Sequence, residues 1–314
     1  MATRPTRARS TAAPAEVVAR TTYAVPWLGG VWRALCGPHP LRALLALWPA
    51  WWALWLAAER FPPWPQFLLV TLAVWLAQPL GAFLGERIGG WLDAGTRKSS
   101  PSAPAGEVLR GRDALLFAVA LTLVLAGVLL LGGVLAFWMG LGALGFALAH
   151  PFVRRYSYLA QAFLGVACGW AAAVAFAAVQ GGVSALGWLL ACAGSLWMIG
   201  CLLWQAMADR AEDLRCGRRS TAILLGEMDL PALALVSGGA LVALVLVGQR
   251  APLAMGYLAG LVLAALLAGV QFWLARGRGR EDCLRALALG NASGAAVLAG
   301  IVLAKVLGGA QGLA

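Results

Sequence analysis

The stretch Trp204-Gln-Ala-Met-Ala-Asp-Arg-Ala-Glu-Asp-Leu-Arg-Cys-Gly-Arg-Arg-Ser-Thr-Ala-Ile-Leu-Leu-Gly226 places a dense group of charges directly after a long apolar run. It contains the carboxylates Asp209, Glu212 and Asp213. If the apolar run continues as a helix, Asp209 and Asp213 stand four residues apart and share one face of that helix. The same stretch contains the arginines Arg210, Arg215, Arg218 and Arg219.

This pattern of acidic and basic residues has two interpretations. Carboxylates at such a spacing can hold a divalent cation, and arginines can bind the phosphate groups that such a cation commonly carries. Charge at the end of a membrane helix is costly unless it has a use, which favours a functional site. The alternative is a solvated cytoplasmic loop whose charges pair among themselves. The local sequence alone leaves both open.

Composition indicates an integral membrane protein. Of the 314 residues, 61% are hydrophobic and 12% are charged, and the mean hydropathy is +0.81. The apolar residues form runs near the length that spans a bilayer, and we expect these spans to be helical because a helix satisfies its own backbone groups in lipid. The six cysteines form no CxxC pair, so neither a disulfide framework nor a zinc site is indicated.

Nine apolar segments are candidate transmembrane helices. They cover residues 41–58, 66–85, 113–131, 133–150, 160–180, 186–207, 229–248, 252–275 and 288–308. With the N-terminus placed in the cytoplasm, every Lys and Arg except Arg60, Arg250 and Lys305 falls on the inner side. The net charge of +11 therefore reflects membrane topology, and no nucleic-acid partner is indicated. We predict an inner-membrane, multi-pass protein whose charged loops face the cytoplasm.

The chain is expected to consist of two parts. Residues 1–30 are rich in Arg, Ala, Thr and Pro, which predicts a disordered basic tail without a secretory signal. Residues 31–314 form the predicted transmembrane domain. Within the domain, glycines such as Gly165 and Gly169 are expected to mark close helix contacts.

The charged stretch resembles the second aspartate-rich motif of the UbiA-type intramembrane prenyltransferases. That motif has a DRxDD-like cluster, a glycine, and then Lys-Ser-Thr-Ala-Ile-Leu-Phe-Gly. Here the chain reads Asp209-Arg-Ala-Glu-Asp213, Gly217 and Arg219-Ser-Thr-Ala-Ile-Leu-Leu-Gly226. Glu212 replaces an aspartate of the pattern, while Asp209 and Asp213 keep their spacing.

Three further stretches are similar to the same family, and within it to the 4-hydroxybenzoate polyprenyltransferases of ubiquinone synthesis. Leu47-Trp-Pro-Ala-Trp-Trp-Ala-Leu-Trp55 resembles the family's first span. His150-Pro-Phe-Val-Arg-Arg-Tyr156 through Gln161 resembles its Tyr-Pro-Phe-x-Lys-Arg-x-Thr segment. Cys283-Leu-Arg-Ala286 with Asn291 resembles its penultimate loop. The resemblance runs from about Pro40 to the C-terminus.

The resemblance implies an all-α fold of nine transmembrane helices around a lateral cavity, with the N-terminus in the cytoplasm. It also implies transfer of a polyprenyl group from its diphosphate to an aromatic acid such as 4-hydroxybenzoate. In the family, Mg²⁺ held by two acidic motifs binds the diphosphate, and the site keeps water away from a carbocation. The implied partners are polyprenyl diphosphate, the aromatic acceptor and membrane lipid.

The first acidic motif departs from the family pattern Asn-Asp-x-x-Asp-x-x-x-Asp. The corresponding stretch is Gly85-Glu-Arg-Ile-Gly-Gly-Trp-Leu-Asp93, in which Gly89 replaces the central aspartate and only Asp93 is kept. Glu86 stands at the first aspartate and shares a helix face with Asp93. It could partly replace the lost ligand, or the glycines could mark a lost site. The expected metal ligands are Asp93, Glu86, Asp209 and Asp213.

Basic residues complete the expected site. Arg155 matches a residue that contacts substrate in the family, so it is placed with Asp209 and Asp213 in the catalytic group. Arg154 is expected only to anchor its span at the lipid headgroups. The candidate diphosphate contacts are Arg97, Lys98, Arg215 and Arg219, although topology alone would also explain each of them.

We therefore expect a Mg²⁺-dependent aromatic polyprenyltransferase. The main alternative is a weakened or inactive paralogue that binds isoprenoid lipid or a partner enzyme, which the altered first motif favours. A transporter is a third possibility, disfavoured because the polar residues gather on one face and not at mid-membrane.

Overall fold

The computed structural model describes residues 40–93, 111–253 and 255–311, and the regular elements within these ranges are all helical. The predicted basic tail of residues 1–30, and Arg97 and Lys98, lie outside the described residues. The helices are α1 Pro40–Leu45, α2 Leu47–Ala57, α3 Trp64–Asp93, α4 Gly111–Leu131, α5 Val134–Tyr156, α6 Ala160–Gly169, α7 Ala171–Gln180, α8 Ala185–Arg215, α9 Thr221–Leu225, α10 Asp229–Arg250, α11 Met255–Ala275 and α12 Arg280–Gln311, with a 3₁₀ turn at Gly226–Met228.

Within the described ranges, seven helical segments are long and apolar enough to cross a membrane. They are Trp64–Gly85, Val134–Tyr156, Ala160–Gln180, Ala185–Arg215, Thr221–Arg250, Met255–Ala275 and Arg280–Leu307. Two shorter apolar helices, Ala43–Ala57 and Leu115–Leu131, coincide with the other two predicted spans. Large apolar side chains such as Leu131 and Leu235 are exposed on the surface, as expected for helices that face lipid. The chain is a multi-pass membrane protein, while nine spans and a cytoplasmic N-terminus remain predictions.

The charged stretches are more helical than the sequence predicts. Helix α8 continues through the acidic motif to Arg215, and α12 begins at Arg280. The segments 208–228 and 276–287, which lie between predicted spans, are therefore largely helix. Helix α3 likewise continues to Asp93. Continuing the helix keeps its backbone groups bonded, and Arg, Glu, Ala and Leu all favour helix. The acidic motifs therefore lie on helix ends and not on loops.

Helix α2 lies at the centre of the bundle, where it packs against α3, α7, α8 and α12. It is hydrophobic all round, and Trp52 and Leu54 are fully buried. Trp52 Nε1 donates to the carbonyl of Gly294 over 3.0 Å, and Trp48 Nε1 donates to Asn291 Oδ1 over 3.0 Å. Two stretches that carry the family resemblance at opposite ends of the chain are thus bonded together.

Helices α6 and α8 approach each other at two glycines. A Cβ on Gly165 would lie 2.4 Å from Ile199 Cγ1, and a Cβ on Gly169 would lie 2.3 Å from the backbone nitrogen of Ser195. The prediction that these glycines mark close helix contacts is confirmed. The predicted span 160–180 is divided at Trp170 into α6 and α7, directly after this contact, consistent with the tendency of helices to kink at glycine.

Candidate functional site

The acidic end of α8 is the centre of the candidate site. Asp209 and Asp213 lie one helical turn apart on this helix, as the sequence predicts. Asp213 is 4% exposed and Asp209 is partly buried. A buried carboxylate requires charged or hydrogen-bonding partners, and α5 and the connection after α8 supply them.

Arg154 and Arg218 neutralise Asp213. Arg154 Nη2 lies 3.0 Å from Asp213 Oδ1, and Arg218 Nη1 lies 3.8 Å from the same oxygen. Arg218 Nη1 is also 3.9 Å from Glu212 Oε1. The expectation that Arg154 only anchors its span was wrong, because its guanidinium faces the second acidic motif. This pair could not be foreseen from helix periodicity, since it joins different helices.

Three other predicted basic residues, Arg155, Arg215 and Arg219, lie on or beside the same helix ends. Arg155 is the exposed neighbour of Arg154 at the end of α5, and Arg215 is exposed on the last turn of α8. Arg219 donates from Nη1 to the carbonyl of Tyr156 over 2.6 Å, and its guanidinium lies 5.5 Å from the ring of Tyr158. The structure therefore places Arg219 against the α5–α6 connection.

Two of the family-like stretches meet at Thr221. Its Oγ1 donates to the carbonyl of Tyr158 over 2.7 Å and lies 2.7 Å from Gln161 Oε1, which also accepts the backbone N–H of Thr221 over 3.2 Å. These bonds join the start of α9 to the start of α6. The resemblance indicated Gln161 and the Ser-Thr-Ala-Ile segment separately, and the fold brings them into contact.

A second charged cluster, absent from the sequence-based site, forms around Asp229. This residue begins α10, and it is fully buried. Its carboxylate pairs with Arg210 of α8 and with Arg278 of the α11–α12 connection, whose Nε is 2.9 Å from Oδ1. The signal in the sequence was an acid at the first residue of an apolar run, two residues after Glu227, a position where ionisable residues are costly.

The first acidic motif lies on the last turns of α3. Glu86 and Asp93 occupy one face of this helix at the level of the backbone, and the structure does not describe their side chains. At Gly85, a Cβ would meet no atom of the described residues within 4 Å, so packing there does not require glycine. That both acidic motifs together hold Mg²⁺, as the resemblance implies, stays a prediction.

The donor chemistry of the site fits Mg²⁺ in part. Within the described ranges, no group of three or more His, Cys, Asp or Glu is arranged to hold a metal ion. However, Mg²⁺ is commonly bound through one or two carboxylates together with water and substrate phosphates. Asp209 and Asp213 can supply such carboxylates, and the surrounding arginines suit a phosphate ligand.

A small interior cavity does not match the implied substrate site. It has a volume of about 30 Å³ and lies between α8, α10, α11 and α12, where Trp204, Ser237, Gln271 and Ser293 are among the lining residues. This volume suits a water molecule and not a prenyl chain. The lateral cavity that the resemblance implies stays a prediction.

The fold defines a multi-pass helical membrane protein in which acidic and basic side chains meet at helix ends. Residues 46–294 match the model of the UbiA prenyltransferase family, and the chain belongs to this family. The chain is 41% identical to a 4-hydroxybenzoate octaprenyltransferase of Xanthomonas euvesicatoria pv. vesicatoria (strain 85-10), over 88% of this chain and 92% of the relative. The resemblance seen in the sequence is confirmed.

Solved structures share the fold. A UbiA homolog from Aeropyrum pernix K1 matches with a TM-score of 0.68 and 21% identity, covering 83% of this chain and 97% of the homolog. A UbiA homolog from Archaeoglobus fulgidus, bound to GPP and Mg²⁺, matches with a TM-score of 0.55 and 16% identity, covering 86% and 99%. At these identities the comparisons establish the helical architecture.

Proposed function

We propose that this protein transfers a polyprenyl group from polyprenyl diphosphate to 4-hydroxybenzoate, a ubiquinone-type reaction. The observation that carries the proposal is the acidic end of α8, where Asp209 and the buried Asp213 lie among arginines from two other segments. The name of the Xanthomonas relative, which is similar over most of its length, supports the same substrates.

The metal would be held by Asp209 and Asp213, with Asp93 and Glu86 of α3 as the opposing ligands. Magnesium, when bound, would neutralise charge on the departing diphosphate. The Archaeoglobus homolog, which is bound to GPP and Mg²⁺, supports Mg²⁺ as the metal. Arg97, Lys98, Arg155, Arg215 and Arg219 are the proposed contacts for the diphosphate or the acceptor carboxylate.

The chain's own residues would prepare both substrates for reaction. The arginines bind and orient the diphosphate, so that negative charge developing on the leaving group meets positive charge already in place. The apolar helices hold the prenyl chain and exclude water from the allylic carbon. The bond between the allylic carbon and the diphosphate oxygen breaks, and diphosphate leaves. A carbon of the aromatic ring then bonds to the allylic carbon, and that ring carbon loses its proton.

The proposed arrangement in the membrane is nine spans, with the N-terminus and the acidic helix ends on the cytoplasmic side of the inner membrane. The asymmetric placement of Lys and Arg supports this orientation. The seven long apolar helices and the two shorter ones together are enough helices for nine spans.

The test is product formation by membranes that contain the protein, with a polyprenyl diphosphate, Mg²⁺ and 4-hydroxybenzoate. Asp209→Ala should abolish product. If Glu86→Ala also abolishes it, Glu86 replaces the lost aspartate; if Glu86→Ala is active, the second motif holds the metal almost alone. Glu281→Ala, which removes an exposed carboxylate at the start of α12, is the matched control and should retain activity.

A second candidate function is favoured by the altered first motif. With Gly85 and Gly89 in place of motif residues, the protein could bind prenyl diphosphate without turnover. Prenyl-diphosphate binding by the folded protein, with no product at any Mg²⁺ concentration, would support this inactive paralogue and contradict the enzyme.

A further inference from the structure

Asp229 joins three separate segments of the protein at one buried carboxylate. It accepts hydrogen bonds from Arg210 of α8, from Arg278 of the α11–α12 connection, and from the backbone N–H of Leu230 over 2.6 Å. The carboxylate is fully buried, whereas the two arginines are partly exposed. A buried carboxylate held by two guanidinium groups fixes the relative positions of the elements that carry them.

The orientation of Arg210 depends on this contact. Its Nη2 donates to Asp229 and to the carbonyl of Gly226 over 3.2 Å. Its Nε is buried and has no hydrogen-bond partner in the described part of the chain. Both hydrogen bonds described for the Arg210 side chain are therefore made by Nη2. Their acceptors are Asp229, at the start of α10, and Gly226, in the turn directly before it.

Arg278 is held in an unusual backbone conformation at the same place. Its φ of 55° lies in the left-handed region, which non-glycine residues rarely adopt. Its Nε lies 2.9 and 3.2 Å from the two oxygens of Asp229, and its Nη2 donates to the carbonyl of Glu227 over 2.9 Å. Such a conformation persists where the surroundings strongly determine it, and these three bonds do so.

Arg210 lies between Asp209 and Asp213 in the sequence of α8. It directly follows Asp209 and precedes Asp213 by three residues, so the anchored side chain belongs to the same helical turn as the proposed metal ligands. Asp213 is held separately by Arg154, from α5. The end of α8 is thus fixed on two sides, by α5 through Asp213 and by α10 through Arg210.

We propose that Asp229 is a positioning residue: it holds the acidic end of α8 in place through Arg210, so that Asp209 and Asp213 keep the geometry needed to bind metal and diphosphate. The expected effect of Asp229 on activity rests on the proposed function. Its expected effect on the mobility of α8 does not. Asp229 itself touches neither substrate nor metal in this proposal.

Asp229→Asn is the main test, because the amide keeps the shape of the side chain and loses its charge. Amide hydrogen exchange across residues 209–215 should become about tenfold faster or more, while exchange in α2 and α7 stays unchanged. The Mg²⁺ concentration for half-maximal product formation should rise about 10- to 100-fold, the range seen when a group that orients a metal ligand is removed.

Asp282→Asn is the matched control. It removes a carboxylate from the first turn of α12, where Asp282 pairs with the exposed Arg285 over 3.4 Å and does not belong to the Asp229 cluster. Both exchange at 209–215 and Mg²⁺ dependence should stay at the wild-type values. Arg210→Gln breaks the same link from the other side and should reproduce the faster exchange, so it replaces Asp229→Asn if that variant does not fold.

Three results would overturn the proposal. Exchange at 209–215 could stay unchanged in both Asp229→Asn and Arg210→Gln. Exchange could instead rise equally in all helices, which would make Asp229 a general stability residue. Finally, exchange at 209–215 could rise with an unchanged Mg²⁺ dependence, in which case mobility there does not matter for metal binding. If the wild-type protein makes no product, the proposed function fails, while the exchange measurements still decide whether Asp229 fixes α8.

Discussion

Arg154 Nη2 donates to Asp213 Oδ1 over 3.0 Å, and this contact connects the last turn of α5 to the acidic end of α8. The two residues are 59 positions apart in sequence. Arg154 is partly exposed, whereas Asp213 is buried and has lost most of its contact with water. The positive charge of Arg154 compensates for this lost hydration of the carboxylate. The stability of the folded protein should therefore depend on this pair.

Arg154→Gln should lower the free energy of unfolding by about 2 kcal/mol, because it removes a charged hydrogen bond from a buried acceptor. Thermal or denaturant unfolding in detergent measures this change. Arg285→Gln is the control, since Arg285 pairs with Glu281 and Asp282 on an exposed helix face, and its loss should cost less than about 1 kcal/mol. Equal losses in the two variants would contradict the role given to Arg154.

Asp209→Asn should reduce kcat/KM at least about a hundredfold, because the amide cannot supply the charge of a metal-binding carboxylate. Initial rates measured across a range of Mg²⁺ concentrations test this, and chelation of Mg²⁺ should abolish product in the wild-type protein. Glu212 lies between the two motif aspartates in sequence, and its side chain is half-exposed. Glu212→Gln should therefore change kcat/KM by less than about fivefold. A larger effect at Glu212 than at Asp209 would show that the ligands are assigned wrongly.

Gly89→Asp should lower the Mg²⁺ concentration for half-maximal product formation by about tenfold, because it adds a carboxylate that shares a helix face with Glu86 and Asp93. The control is Gly90→Asp, which adds the same charge about 100° further around α3. An equal gain in both variants would mean that net charge, and not ligand position, controls metal binding.

Gly169→Ala should destabilise the protein by about 1–3 kcal/mol, because the added Cβ would collide with the backbone of Ser195 and separate α6 from α8. Thermal unfolding in detergent tests this. At Gly145 of α5, a Cβ would meet no atom of the described residues within 4 Å, so Gly145→Ala should be neutral or slightly stabilising. A stable Gly169→Ala protein would show that these helices can move apart at little cost.

The sequence by itself determined the class of protein, the family and the acidic pair on α8. Apolar runs of bilayer length establish membrane helices, because lipid offers no hydrogen-bond partner to backbone N–H and C=O groups and a helix satisfies them internally. The spacing of Asp209 and Asp213 establishes their shared face, since helix geometry is local. Motif order identified the family even where the first acidic motif has changed.

Only the tertiary structure decided which charges meet. Arg154 and Asp213 are 59 positions apart in sequence, yet the guanidinium of Arg154 bonds to this carboxylate. Asp229 has no basic residue within nine positions in the sequence, and folding places Arg210 and Arg278 from distant segments beside it. Pairs of this kind depend on how helices pack and rotate against one another. Helical periodicity describes one helix at a time, so it carries no information about such pairs.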